Sequence, residues 1–176
     1  MDEITERKWK VLNRDTIKYI AMFTMLLNHI STIFMESGKF VSELFLNAGY
    51  FTAITMCYFL VEGYQYTHSK KKYAFRLIIY ALISEIPYCL AFTKNGVLEF
   101  CGLNMLFTLF ICFCILIVVE RVKNTPLKVI SVFILILLSL VSDWPLLAPI
   151  FTLLFIWGKD SKKKLKAAFV ISIILF

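Results

Sequence analysis

The sequence has few charged residues, and those it has are grouped. Asp, Glu, Lys and Arg make up 18% of the 176 residues, whereas hydrophobic residues make up 60% and the mean hydropathy is +0.78. A soluble domain is about 45–50% apolar and about 25% charged. The composition therefore excludes an ordinary soluble domain and predicts an all-α, polytopic transmembrane helix bundle with a single domain over residues 1–176.

The sequence also lacks the marks of several other classes. No small-residue cleavage site follows the first apolar block, so we expect that block to stay as a span rather than to be a removed signal peptide. The five cysteines lack the spacing of a metal site, and we interpret them as small apolar fillers. We predict no bound metal.

Apolar runs recur along the chain at about the length that a bilayer requires. A helix needs about 20 apolar residues to cross a hydrocarbon core of about 30 Å. We predict about six to seven spans, near residues 16–35, 46–66, 73–93, 103–120, 127–142, 145–158 and, as a partial span, 165–176.

Basic residues mark alternate connections between these spans. The N-terminal segment and the segments after the second, fourth and sixth spans hold all of the 19 basic residues except Lys39 and Lys94. Because cytoplasmic loops carry an excess of Lys and Arg, the pattern predicts a cytoplasmic N-terminus. The same clusters explain the net charge of +7 through anionic lipid headgroups, so we expect the lipid bilayer as a partner and no nucleic acid.

Polar residues nevertheless occur inside the predicted spans. His29, in the stretch MLLNHIS, lies about 15–18 Å from the cytoplasmic side at 1.5 Å per residue. Glu85 lies at a similar depth in the third span, and Asn104 lies at the outer start of the fourth. The runs on either side of Asp143 are short for two crossings, so we expect the turn SDWPLLAP to be drawn below the outer surface.

These polar groups are costly in hydrocarbon, since a charge at mid-bilayer costs at least about 2.5–3.5 kcal/mol. We therefore predict one outward-opening polar cavity lined by Asn28, His29, Glu85, Asn104 and Asp143. Other interpretations stay open. His29 could merely hydrogen-bond a neighbouring helix, Glu85 could be a neutral acid bound to a carbonyl, and Asp143 could cap a helix among the headgroups.

Four stretches carry a resemblance to a known family. AMFTMLLNHI, MCYFLVEGYQYTHSKKKYAFRLIIYALISEIPY, LNMLFTL and SDWPLLAPIFTLLF occur in this order and together resemble the TraX family of small integral membrane proteins. The resemblance implies a protein of the bacterial cytoplasmic membrane that transfers acetyl from cytoplasmic acetyl-CoA, as co-substrate, to an amine or hydroxyl. The acceptor, which could be an exported peptide, glycan or lipid, is not identified by the sequence.

The resemblance also implies roles for particular residues. His29 would act as general base or carry the acetyl group briefly. Many family members read Asp-His where this chain reads Asn28-His29, so Glu85 or Asp143 would have to supply the balancing charge. The CoA phosphates would meet a basic cluster on the cytoplasmic face, and the thioester arm would pass Glu62. That cluster comprises Lys70, Lys71, Lys72 and Arg76.

A second hypothesis assigns no chemistry to these groups. Carboxylates and a histidine at one depth also occur in proton relays, so a small transporter is an alternative, as is an assembly partner whose polar residues only hold helices together. No internal repeat that would favour a transporter is visible in the sequence.

Overall fold

A computed structural model describes residues 13–93 and 100–175. These residues form seven α-helices and one 3₁₀ turn, with no strand among them, which confirms the all-helical prediction for this part of the chain. The helices are α1 (Arg14–Phe34), α2 (Phe40–Tyr66), α3 (Lys70–Phe92), α4 (Met105–Arg121), α5 (Thr125–Leu138), α6 (Leu147–Gly158) and α7 (Lys162–Ile174), and the 3₁₀ turn is Ser139–Val141. Four basic residues of the orientation argument, Arg7, Lys8, Lys10 and Lys94, lie outside the described residues.

Three of the described helices, α1, α2 and α3, are long and apolar enough to cross a membrane. The helical segments Thr125–Val141 and Leu147–Gly158 are apolar but shorter, as the sequence led us to expect for that pair. The total number of spans and the cytoplasmic N-terminus stay predictions.

The chain divides into two compact units, and the division falls inside α2, between Thr55 and Met56. In the first unit, α1 and the start of α2 are joined by hydroxyl contacts. Ser31 Oγ donates to the Ser42 carbonyl at 2.8 Å and lies 2.7 Å from the Ser42 hydroxyl. Further along, Thr24 and Thr52 hydroxyls lie 2.8 Å apart. Small polar residues at such positions let apolar helices approach closely and bind each other without a hydrophobic driving force.

Asn28 lies between those two contacts on the same face of α1. Its Nδ2 donates to the Leu46 carbonyl at 3.1 Å, and its side chain fills the space over Gly49. A Cβ atom at Gly49 would lie 2.7 Å from the Asn28 Cβ atom, closer than real contacts allow. Gly49 is therefore what admits an amide side chain between these helices.

Gly49→Ala is expected to lower the free energy of unfolding by about 1–3 kcal/mol, because the whole Asn28 side chain must move. The measurement is detergent-induced unfolding followed by circular dichroism. Asn47→Ala, at an exposed position of α2, is the matched control. Equal stability of the two variants would contradict the close approach of Asn28 to Gly49.

The second unit is arranged around α4. This helix packs against α3, α5 and α6, and α6 packs against α7. Its side chains are buried on almost every side, as expected for a helix that is apolar all round. Phe113, which is 0% exposed, lies between the rings of Tyr64 and Tyr73, with centroid distances of 5.1 and 5.0 Å. This packing holds the middle of α4, whereas polar contacts lie at its two ends.

Candidate functional site

Glu85 and Asn104 meet where α3 approaches the start of α4. One carboxylate oxygen of Glu85 accepts from the Asn104 backbone N–H at 3.0 Å and from its Nδ2 at 2.7 Å. The Asn104 amide also donates to the Ala81 carbonyl and the Ser84 hydroxyl at 2.9 and 3.0 Å. Asn104 is 5% exposed, so its polar groups are bound by protein.

The same asparagine caps α4. Its Oδ1 accepts from the backbone N–H groups of Leu106 and Phe107 at 2.9 and 3.4 Å. A side-chain oxygen in this position satisfies N–H groups that have no partner within the helix. Asn104 therefore ties the Glu85 carboxylate to the positive end of the α4 dipole, which favours a negative charge there.

Asp143 is brought to the same end of α4 by its backbone. Its N–H donates to the Leu103 carbonyl at 2.7 Å, and its own carbonyl accepts from the Thr108 hydroxyl at 2.5 Å. Leu103 and Ser142 form an isolated parallel bridge. Gly102, the residue before the bridge, has a φ of +100°, a backbone conformation that glycine adopts readily. The carboxyl group of Asp143 is half-buried and lies beside the Trp144 backbone N–H.

The turn after Asp143 has a strained backbone. Trp144 and Leu146 are non-glycine residues with φ of 57° and 63°. The Leu147 N–H donates to the Pro145 carbonyl at 2.7 Å, so Leu146 is the centre of a γ-turn of the rare kind with positive φ. Such conformations persist only where the surrounding structure enforces them, and they concentrate at functional sites.

We call Glu85, Asn104 and Asp143 the carboxylate cluster. Asp143 donates its N–H to Leu103, the residue before Asn104, and Asn104 donates to Glu85, so both acidic residues lie at the same end of α4. Among the described residues no group of three or more His, Cys, Asp or Glu side chains has the arrangement of a metal site. The cluster can hold negative charge and orient a donor group, both of which a transfer reaction requires.

Asn28 and His29 belong to the first unit. Asn28 binds the Leu46 carbonyl, as described above, whereas His29 is half-buried on the adjacent face of α1, with its Nδ1 atom shielded from solvent. The predicted cavity shared by His29 and the carboxylate cluster stays a prediction, as does the catalytic role of Asn28.

The predicted basic cluster lies at the opposite end of α4 and is divided among separate environments. Lys70 forms an ion pair with Glu120, at 2.6 and 2.5 Å to its two carboxylate oxygens, and lies 4.2 Å above the Tyr64 ring. Tyr64 also donates to Glu120. The three side chains line a cavity of about 360 Å³ together with Lys159. Lys70 is thus already neutralised by a carboxylate.

Lys72 and Arg76 line a different cavity, of about 420 Å³, which we call the basic cavity. Its other walls include His68 and Ser69, and the Ser69 hydroxyl caps α3 by accepting from the Lys72 N–H at 3.4 Å. Within residues 13–93 and 100–175 no carboxylate forms an ion pair with Lys72 or Arg76. Lys71 is exposed and is not among the residues that line this cavity.

Glu62 lines a third, smaller cavity, of about 120 Å³, together with Gln65 and Lys159. Its carboxylate accepts from the Tyr58 hydroxyl at 3.2 Å. Since Gln65 and Lys159 also line the cavity around Lys70 and Glu120, the two cavities adjoin on one side of α2.

Sequence reasoning missed the partners of several of these residues. Glu120 is 50 positions from Lys70 in the chain. The one signal in the sequence is its position beside Arg121 at the end of an apolar run, which is typical of an interfacial residue. Gly49, within LNAGYF, is a small residue in an apolar run, which is a known mark of close helix contact.

Comparison with known proteins identifies the family. The family model described as "TraX protein" matches residues 13–176. A curated relative, "Probable fimbrial assembly protein FimC, serogroup H1" from Dichelobacter nodosus, is 30% identical over 163 residues, which cover 89% of this chain and 66% of that protein. No solved structure matches the chain. The chain therefore belongs to the TraX family of membrane proteins.

Proposed function

We propose that this protein is a membrane-embedded acetyltransferase that moves acetyl from cytoplasmic acetyl-CoA to an amine or hydroxyl at the membrane. The supporting observation is the carboxylate cluster, in which acidic residues of two different segments are held at the same end of α4 in an otherwise apolar helical unit. Acidic residues are rare within apolar helical segments, and those that occur there often mark sites of proton or group transfer.

In the proposed reaction, His29 accepts a proton from the acceptor and then donates it to the leaving group. The imidazole takes a proton from the acceptor as its nitrogen or oxygen attacks the thioester carbonyl. The tetrahedral intermediate then collapses, the carbon–sulfur bond breaks, and CoA leaves as a thiol with the proton from the imidazolium. The positive charge on His29 lasts only until the leaving thiolate takes this proton.

The acceptor that we favour is an exported subunit of a surface fibre. The relative from Dichelobacter nodosus is described as a probable fimbrial assembly protein. A fibre subunit that passes through the membrane presents an α-amine, whose pKa of about 8 makes it partly neutral and nucleophilic near neutral pH.

The basic cavity is the place that we propose for the phosphates of CoA. Lys72 and Arg76 supply positive charge that no described carboxylate neutralises, and the N-terminal end of α3 adds the favourable end of a helix dipole. Lys70 is less suited to the same task because Glu120 already occupies it.

Lys72→Ala and Arg76→Ala are each expected to raise the KM for acetyl-CoA about tenfold, since a charge-assisted phosphate contact contributes about 1.5–3 kcal/mol. Lys71→Ala is the matched control, because this neighbouring lysine is exposed and does not line the cavity. Steady-state kinetics with purified protein measure the effect. Equal KM values for all three variants would reduce the cluster to an anchor for lipid headgroups.

The experiment for the activity itself uses purified protein and CoA that carries a labelled acetyl group. Transfer of label to an amine-bearing peptide, to water or to the protein supports the proposal. No CoA binding at millimolar concentration, together with no loss of label, contradicts it.

An assembly partner without chemistry is the second candidate. It is favoured by the way in which Asn28 and Asn104 satisfy backbone groups between helices, as polar residues do when they only join segments. In that case the labelled group stays on CoA, and substitutions at His29 and in the carboxylate cluster change stability alone.

A further inference from the structure

Two thiols lie together at the α3–α4 connection. The Sγ atom of Cys101 is 3.9 Å from the Cys89 carbonyl oxygen, close enough for the two side chains to interact. The Cys89 thiol also donates to the free oxygen of the Glu85 carboxylate at 3.6 Å. One member of this pair thus touches the carboxylate cluster directly.

The two thiols differ in their access to solvent. Cys101 is exposed, whereas Cys89 is 6% exposed behind it. An exposed thiol next to a buried one is the arrangement in which the first is attacked or oxidised and the second resolves the product. The pair also lies on the side of the membrane that the sequence predicts to be outside the cytoplasm, where disulfides form and persist.

A second thiol pair in the same unit provides a comparison. The side chains of Cys57 and Cys112 also interact with each other, but both residues are 0% exposed in the packed interior. No soluble reagent reaches them there. The two pairs therefore differ in exposure and not in contact, because only the pair at the α3–α4 connection includes an exposed thiol.

We propose that Cys89 and Cys101 form an intramolecular disulfide that fastens the start of α4 to the end of α3. The Cys101 thiolate attacks a disulfide of the oxidised dithiol class, which releases one thiolate and leaves a mixed disulfide on Cys101. The Cys89 thiolate then attacks the Cys101 sulfur and releases the second thiolate. Both electrons pass to the oxidant, and the two protons of the cysteines end on its thiols.

The bond would act on the carboxylate cluster by two routes. It closes a short loop that ends three residues before Asn104. The start of α4 is then fastened to α3 by a covalent bond as well as by the hydrogen bonds between Glu85 and Asn104. It also removes the S–H that donates to Glu85, which leaves that carboxylate oxygen available to another donor. The proposal does not depend on acetyl transfer.

The test combines cells and purified full-length protein. Cells are lysed in an excess of a thiol alkylator, and peptides are mapped without reduction. The expected result is a linked pair of peptides containing Cys89 and Cys101, with Cys57 and Cys112 unlinked. Purified protein incubated with oxidised glutathione should give the same link and melt about 6–12 °C higher than the reduced form.

Single variants make the result specific. Cys101→Ser and Cys89→Ser should each abolish the link and the shift in melting temperature, whereas Cys114→Ser, at a half-buried position of α4, should keep both. A pair that is fully reduced in cells overturns the proposal, as do links between chains only or a glutathione adduct that stays on Cys101 while Cys89 is present.

Discussion

His29→Ala is expected to lower the rate of acetyl transfer by about 10²–10⁴-fold, the range that a positioned acid–base residue contributes. The loss should appear in kcat and kcat/KM together, because the proton is transferred in the transition state and not on binding. The measurement is single-turnover transfer of label from acetyl-CoA to an amine acceptor.

The control for this variant is Thr32→Val, at an exposed position three residues further along α1. Both variants should keep the helical circular dichroism of the parent. His29→Ala with the rate of the parent would show that the histidine is not the base, and an equal loss in both variants would point to α1 as a whole rather than to the imidazole.

Asn104→Ala is expected to cost about 2–4 kcal/mol of stability, because two kinds of bond are lost at once. Removal of an asparagine cap costs about 1 kcal/mol. Loss of the donors to Glu85 leaves a part-buried carboxylate oxygen with fewer partners, at about 1–3 kcal/mol. Unfolding in a detergent series gives the total, and hydrogen exchange at the first turn of α4 shows where the loss occurs.

Asn124→Ala separates the two contributions. Asn124 caps α5 in the same way, with Leu127 N–H as its partner at 3.4 Å, but it has no contact to a carboxylate among the described residues. It should therefore cost only the cap. Asn104→Asp keeps a cap oxygen but sets a second carboxylate against Glu85, so it should be at least as destabilising as Asn104→Ala. Equal losses of stability for Asn104→Ala and Asn124→Ala would show that the contact with Glu85 does not contribute to stability.

The described helices lie on the apolar runs of the sequence, but their ends do not follow from those runs. The run predicted to begin at 46 belongs to a helix that begins at Phe40. Ser42 and Glu43 interrupt the apolar run there, yet Ser42 is buried because Ser31 of α1 satisfies it. A hydropathy scale counts Ser42 and Glu43 as polar, because it takes no account of a hydrogen-bond partner on another helix.

The partners of the site residues were harder to predict than the residues themselves. Glu85, Asn104 and Asp143 could be singled out because polar groups are few in these runs. That Asn104 holds Glu85 and caps α4 at the same time depends on how α3 is rotated about its axis, which the weak amphipathicity of an apolar helix does not encode. The pairing of Lys70 with Glu120 depends on the same rotation.

The length of α4 determines how far apart its two polar ends lie. Asn104 caps the start of α4 and Glu120 lies in its last turn, about 24 Å away at 1.5 Å per residue. Under the proposed function, a nucleotide-bearing donor can stay in the cytoplasm and a fibre subunit can stay outside. Because the acceptor attacks the thioester directly, only the narrow thioester arm and the reacting amine have to enter the membrane, so the protein needs no passage wide enough to leak ions.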